Sequence, residues 1–327
     1  MSLLFVFVDG LGLAPPGPSN PLCQLSGGPL APLGGACPLG EGFRLLRADA
    51  CLGVPGVPQS ATGGTALFTG VNAPAEAGEH LQGLPNRALR EILARHGLLR
   101  RARERGARVD FANAYTPGFF ARGANRRRSV TTVMMESAGL PLKRLEDLQR
   151  GEAIYRDFTN RLLLEQGMDV ELLSPEEAGR RLGKLTRERD LLIYEHFHTD
   201  HMGHRGTFAD ACRALDELNR FVGSALAVLE PGADGFLLAS DHGNIEDMSH
   251  SAHTTHPVPV LLWGRAAAGW PGGDELSLCG IAPVLLALLM ANMYRPRFVG
   301  HSVDGIPSHA ASSSKPSFSA RTWAGVL

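Results

Sequence analysis

Short apolar runs alternate along the chain with longer amphipathic stretches: Leu3 to Val8, Val109 to Ala112, Leu191 to Tyr194, Phe236 to Ala239 and Val258 to Trp263. Each run is four to six residues long, is bounded by Gly, Pro or charge, and apart from Asp110 is apolar at every position. Neither face of such a segment suits water, so the pattern predicts strands buried in a parallel sheet rather than half-exposed hairpin strands. Pro259 has no N–H to give to a ladder, which predicts an edge position for the last strand.

Between the runs the apolar period lengthens. Arg87 to Arg105 places Leu89, Ile92, Leu93, Leu98 and Leu99 among arginines, and Phe208 to Leu229 carries Cys212, Leu215, Leu218, Phe221, Val222 and Leu226 at helical spacing. Ser174-Pro175-Glu176-Glu177 reads as a helix start, with Ser174 as cap, Pro175 in the first turn and Glu177 closing a capping box. Strand following helix in this order predicts a layered α/β fold. The rhythm blurs over residues 113–173, where Tyr115, Phe119, Phe120 and Arg126 to Arg128 stand in loop-like context, so this segment is expected to be an inserted cap. The core is then discontinuous, 1–112 with 174–306. Residues 307–327 are Ser-rich with little to bury and are expected to form a flexible tail.

The 327 residues are 44% hydrophobic and 20% charged, enough for one large core. Lys+Arg minus Asp+Glu is 32 − 33 = −1, so no global field favours nucleic acid or a membrane surface, and small ligands remain. Five separated cysteines, Cys23, Cys37, Cys51, Cys212 and Cys279, with no C-x-x-C pair, fit a reducing compartment. The first apolar run lacks a basic flank and cleavage site, and no run approaches the roughly 20 residues that span a bilayer. A cytoplasmic location is expected.

Four motifs carry chemistry. Asp9-Gly10-Leu11-Gly12 follows the first strand, where ligands of open α/β sheets gather, and lacks the third glycine of a dinucleotide fingerprint. Gln59-Ser60-Ala61-Thr62-Gly63-Gly64 sets a hydroxyl at a helix start, where backbone N–H groups favour an alkoxide or phosphate, with Thr62 and Gly63 as further substrate contacts. Glu195-His196-Phe197-His198-Thr199-Asp200-His201-Met202-Gly203-His204 concentrates imidazoles and carboxylates beyond what packing explains, and Asp241-His242-Gly243-Asn244 with His250, His253 and His256 adds another such cluster. Oxygen and imidazole donors of this kind suit divalent metals. Arg122, Arg126, Arg127 and Arg128 offer forks for an anionic substrate.

His196-x-His198-x-Asp200-His201 resembles the H-x-H-x-D-H signature of metallo-β-lactamase-like hydrolases, although it follows a long α/β segment here. A second resemblance uses the whole chain. Asp9, Ser60, Asp200-x-x-x-His204, Asp241-His242-Gly243-Asn244 and His253-Thr254 occur in the order typical of the alkaline phosphatase superfamily, and look most like its cofactor-independent phosphoglycerate mutase and phosphopentomutase branch. This resemblance implies a three-layer α/β/α core with a mostly parallel sheet. It implies one metal on Asp200, His204 and His253, a second on Asp9, Ser60, Asp241 and His242, and Ser60 as nucleophile. The ions would be zinc or manganese, with magnesium possible, and the substrate a small phosphoester. The mutases' Asn-Ser-Glu is replaced by Gln59-Ser60-Ala61, and Ser60 and Asp200 are only 140 positions apart, which tilts the expectation to a phosphohydrolase with a phosphoserine intermediate. A phosphomutase, a lactamase-like hydrolase and a non-catalytic metal sensor are the alternatives.

Overall fold

A computed structural model of the chain describes residues 1–35, 37–123 and 127–293. Its strands are β1 (Leu3–Val8), β2 (Phe43–Asp49), β3 (Val109–Phe111), β4 (Leu191–His196), β5 (Gly235–Ser240), β6 (Val258–Gly264) and β7 (Glu275–Ser277). They form one sheet in the order β3-β4-β1-β5-β6-β2-β7. The β3-β4, β4-β1, β1-β5 and β2-β7 pairs are parallel, and β6 runs antiparallel to both neighbours.

β1 shows why three layers form. Leu3, Phe5 and Phe7 enter a core that includes Phe68, Leu89, Met134 and Leu285, whereas Leu4, Val6 and Val8 enter one on the opposite face with Leu182, Leu215 and Phe221. Full burial of each such side chain is worth roughly 1.5–3 kcal/mol, and period-2 alternation divides that between two helical layers. The first layer holds helices Ser60–Thr69, Arg87–His96, Leu98–Glu104 and Val130–Ser137; the second holds Pro175–Arg187 and Phe208–Leu226. The chain is therefore a mostly parallel α/β/α sandwich. Ser174 caps its helix in the expected box, accepting from Glu177 N–H while Glu177 returns a bond to the Ser174 N–H.

Three local expectations are corrected. β6 is an interior strand, not an edge. The Arg47 amide donates to Asp274 on the β7 side, so the Arg47↔Pro259 pair is a non-hydrogen-bonded one, and pairing with β5 ends at Val260. Pro259 thus sits where no ladder bond is required of it. The stretch 87–105 is two helices because Gly97 is extended, and a Cβ there would lie 2.5 Å from the Leu93 carbonyl oxygen. β2 and β7, the last two strands of the sheet, break the apolar-run pattern because they are partly exposed and carry Arg44, Arg47, Asp49 and Glu275.

Within 113–173, helix Val130–Ser137 packs into the first core, while Ala114, Leu148, Ala153, Tyr155 and Leu163 form a small cluster of their own. The expected tail at 307–327 lies outside the described residues, as does Arg126. All five cysteines are free thiols. For the site, the decisive feature is register: Val8 pairs with His196 on one side and Ser240 on the other, so the chain leaves β1, β4 and β5 at neighbouring points of one sheet edge.

Candidate metal centre

Asp9 follows β1, and its N–H donates to the His196 carbonyl at 2.9 Å, tying it to the end of β4. Asp241 and His242 follow β5. Ser60 opens helix Ser60–Thr69, which is seated on β1 by Phe68, with ring centroids 5.6 Å from Phe5 and 5.1 Å from Phe7. These elements bring Ser60 Oγ to 2.9 Å from His242 Nε2, which lies 3.1 Å from Asp9 Oδ1 and 3.7 Å from Asp241 Oδ2. Asp200 and His204 are one turn apart on helix His198–Arg205. Asp200 Oδ1 is 3.4 Å from His204 Nε2 and 3.3 Å from His253 Nε2, and the two imidazole nitrogens are 2.9 Å apart. Two donor sets result, Asp200-His204-His253 and Asp9-Asp200-His242, each with its atoms within 4.8 Å. They share Asp200, and the rings of His242 and His253 stack at 3.8 Å.

The protonation pattern suits a cation. His204 Nδ1 is 2.6 Å from the Ser251 carbonyl and His253 Nδ1 2.9 Å from the Pro58 carbonyl. A carbonyl only accepts, so each Nδ1 carries the proton, and in the neutral rings each Nε2 presents a lone pair. Both oxygens of fully buried Asp241 have no hydrogen-bond partner among the described residues. Burial drives the Asp241 acid well above its ordinary value against the attraction of His242, and Asp9 and Asp200 push the same way as burial. Burial lowers His242, but the carboxylates of Asp241, Asp9 and Asp200 outweigh it and lift the imidazole to about 10. Burial also raises Asp200, yet its bond to His253, the other imidazoles and Asn244 bring it down to about 2. Three carboxylates crowded around imidazole lone pairs demand positive charge, and their oxygen and nitrogen donors fit divalent ions.

A family model described as "Metalloenzyme superfamily" matches residues 173–293, the part that carries Asp200, His204, Asp241, His242 and His253. Over those residues the chain is similar to that superfamily. Its sequence is 34% identical over 151 residues to a 2,3-bisphosphoglycerate-independent phosphoglycerate mutase of Pseudomonas fluorescens, covering 43% of this chain and 29% of that protein. The same-named protein of Paracoccus denitrificans is 30% identical, covering 41% of this chain and 27% of its own length. The chain thus spans less than a third of the length of these curated relatives. Among solved structures, the PH0037 protein of Pyrococcus horikoshii superposes with a TM-score of 0.55 at 14% identity, over 88% of this chain and 96% of that one. A cold-active alkaline phosphatase of Shewanella sp. gives 0.52 at 12% identity, over 88% and 100%. At such identities the likeness is one of fold.

The loops that carry Asp9, Asp241 and His242 are held by a residue outside the four motifs. Glu246, fully buried, accepts from Gly12 N–H at 2.8 Å and Asn244 N–H at 2.7 Å, and also from Thr254 Oγ1; His256 Nδ1 lies 3.2 Å away. It pins together the loops after β1 and β5 and the approach to β6. Burial raises its acid, but the bonds from His256, Thr254 and the backbone prevail and lower it. The signal was an acid two residues beyond Asp241-His242-Gly243-Asn244, in a segment with no surface to solvate it. Glycines admit the close approaches. Gly10 has φ +72°, and a Cβ there would lie 2.8 Å from Asp200 Oδ1; at Gly203 it would lie 2.1 Å from Asn244 Oδ1. Asn244 in turn donates to Asp200 Oδ1 at 2.9 Å.

Other candidates separate. His196 is fully buried and stacks on Phe158 at 5.4 Å; burial first, then His198, lowers it to about 3, a neutral core histidine. Neither it nor His198 and His201, whose rings stack at 6.1 Å, joins a donor set. The lactamase-like reading is corrected accordingly: β4 sends His196 into the second core, and the helix turns His198 and His201 toward a cavity. Thr62 Oγ1 is 3.3 Å from the Gln59 carbonyl and accepts from Leu81 N–H at 3.2 Å, so it secures the loop. Gly63 lies against Asp241, whose carbonyl oxygen would be 2.6 Å from a Cβ. Arg128 pairs with Glu136 at 3.2 Å, and Arg122 is exposed.

Two cavities meet at Asp9. One, of about 600 Å³, runs past Asp200 and His204 to His198, His201 and Arg205. The other, of about 530 Å³, is walled by Tyr115, Phe119, Phe197, Glu195 and Arg127. Arg156 lines both.

Proposed function

We propose that the chain is a phosphohydrolase that uses two divalent cations and forms a phosphoserine at Ser60 on a small phosphoester. The observation that carries this reading is the meeting of Ser60 Oγ, His242 Nε2 and Asp9 beside the Asp200-His204-His253 set. Asp200, His204 and His253 would hold one cation; Asp9, Ser60, Asp241 and His242 the other. Bound there, the cations supply charge that favours the Ser60 alkoxide and neutralises phosphate, and zinc, manganese and magnesium all accept this donor set. Ser60 Oγ attacks phosphorus, the ester oxygen leaves, and water releases phosphate from Ser60. The free N–H groups at the start of helix Ser60–Thr69 face the phosphate oxygens. In this reading 113–173 is the substrate-selecting cap.

Similarity to the mutases supports a second reading, in which a sugar or acid hydroxyl replaces water as acceptor. The short interval of 140 positions between Ser60 and Asp200, with Gln59-Ser60-Ala61 around the nucleophile, favours hydrolysis. A panel of phosphoesters assayed with Zn²⁺, Mn²⁺ or Mg²⁺ tests both: phosphate release supports the first, and isomerised phosphoglycerate without release the second.

A further inference from the structure

The penultimate residue of β4 is a carboxylate, Glu195, with no role in the reaction proposed so far. Glu195 pairs in register with Phe7 and, by strand alternation, lies on the face of Ile193, which is the face of helix Ser60–Thr69. It therefore shares with Ser60 the first-layer side of the sheet edge, whereas its neighbour His196 stacks on Phe158 of the second core. Glu195 is rigidly placed. Its N–H donates to Asn113 Oδ1 at 2.9 Å, its carbonyl accepts from Asn113 Nδ2 at 2.7 Å, and its Oε2 accepts from Thr131 Oγ1 at 2.7 Å. Thr131 continues a hydroxyl chain through Ser129 at 2.9 Å, Thr132 at 3.0 Å and the Tyr115 hydroxyl at 3.0 Å. All of these except Thr131 line the 530 Å³ cavity that begins at Asp9, together with Tyr155, Arg127 and Arg156.

We infer that this cavity takes the leaving group of the phosphoester and that Glu195 is the acid that protonates the leaving oxygen. The inference rests on the phosphoryl-transfer reading and adds a residue to it. As the Ser60 alkoxide oxygen bonds to phosphorus, the P–O bond to the leaving group breaks and that oxygen takes the Glu195 proton; breaking the P–Oγ bond in the second half returns the alkoxide. In the second half water attacks phosphorus, gives its proton to the Glu195 carboxylate, and the P–Oγ bond breaks. The sum is ester plus water to alcohol plus phosphate. Burial, opposed by the Thr131 bond, favours the protonated Glu195 carboxyl, which lines the same cavity as Asp9. Among the described residues, the other titratable or charged side chains lining this cavity are Asp9, Tyr115, Tyr155, Arg127 and Arg156.

An acid matters only when the leaving alkoxide is basic. Glu195→Gln keeps the shape and an acceptor for Thr131. In Mn²⁺-loaded protein it should lower kcat/KM for ethyl phosphate by about 10²–10³-fold and for 4-nitrophenyl phosphate by less than about threefold. Thr131→Val, which frees the carboxyl to turn, should show the same selectivity at about tenfold. Equal losses on the two esters, or none, overturn the role of Glu195. A wild-type protein that turns over neither ester removes the phosphoryl-transfer reading, and Glu195 with it.

Discussion

The Nε2 atoms of His204 and His253 face each other across 2.9 Å while backbone carbonyls hold both Nδ1 protons. Two lone pairs at hydrogen-bond distance repel unless a cation or an added proton lies between them. His204→Ala and His253→Ala should each remove one divalent ion per chain and abolish turnover, as read by elemental analysis and calorimetry. His196→Ala should instead lower the thermal midpoint and leave the ion content alone, because its ring packs on Phe158. Ion loss in the His196 variant with retention in the other two would reverse the assignment.

Ser60 carries the covalent step in the proposed reaction, and Thr62 is occupied by Gln59 and Leu81. Ser60→Ala should keep its fold and bind at least one ion while turnover falls by several orders of magnitude. A labelled phosphoester quenched in acid should leave label on Ser60 in the wild type. Label on Thr62 would show that the other hydroxyl is the nucleophile.

Fold and site were legible to different depths. β1, β4 and β5 announced themselves because burial on both faces forbids polar residues, and their C-terminal ends then located Asp9 and Asp241. β2 stayed hidden since a partly exposed strand next to the sheet edge tolerates charge, with Arg47 and Asp49 exposed at alternate positions. The pairing of Asp200 with His204 follows from one helical turn, but its meeting with His253 depends on a loop whose path no local pattern encodes. Glu246 was missed for the same reason: two of its partners are backbone N–H groups, which every sequence contains, and Thr254 and His256 reach it only through the fold of that loop. His196 misled because composition reports an imidazole but not which face of the strand carries it.

Glu246 gives the site a pH window. Its acid is lowered in the fold, so its contribution to stability is complete above the unfolded carboxyl value of about 4.3 and is lost as pH falls. His256 is raised, chiefly by its bond to Glu246, so its share is complete below about 6.5 and is lost as pH rises through the raised value. The pair should stabilise most between these limits. Glu246→Gln leaves buried donors badly paired at about 1–3 kcal/mol each, and should raise the acid-unfolding midpoint as well as lower overall stability. An unchanged acid midpoint would mean that Glu246 does not couple the loops.

Arg156 should read the substrate's charge. Its guanidinium lines both cavities at Asp9 and lies over Phe197 at 5.1 Å. It has no carboxylate partner among the described residues, and its Nε is buried without a hydrogen bond. An arginine held on an aromatic face with its Nε unpaired matches an incoming phosphoester oxygen. Arg122, in contrast, is exposed, and Arg128 is engaged by Glu136. Arg156→Ala should raise KM for phosphoesters by about 10–100-fold, the loss of a charged hydrogen bond worth about 1.5–3 kcal/mol, with a smaller change in kcat. Arg156→Lys should restore little, because a point charge cannot engage two oxygens at once. Arg122→Ala should change KM less than about twofold, as an exposed side chain away from these walls should. Steady-state kinetics on the three variants checks the order, and a larger KM change at Arg122 than at Arg156 would move anion recognition out to the 122–128 loop.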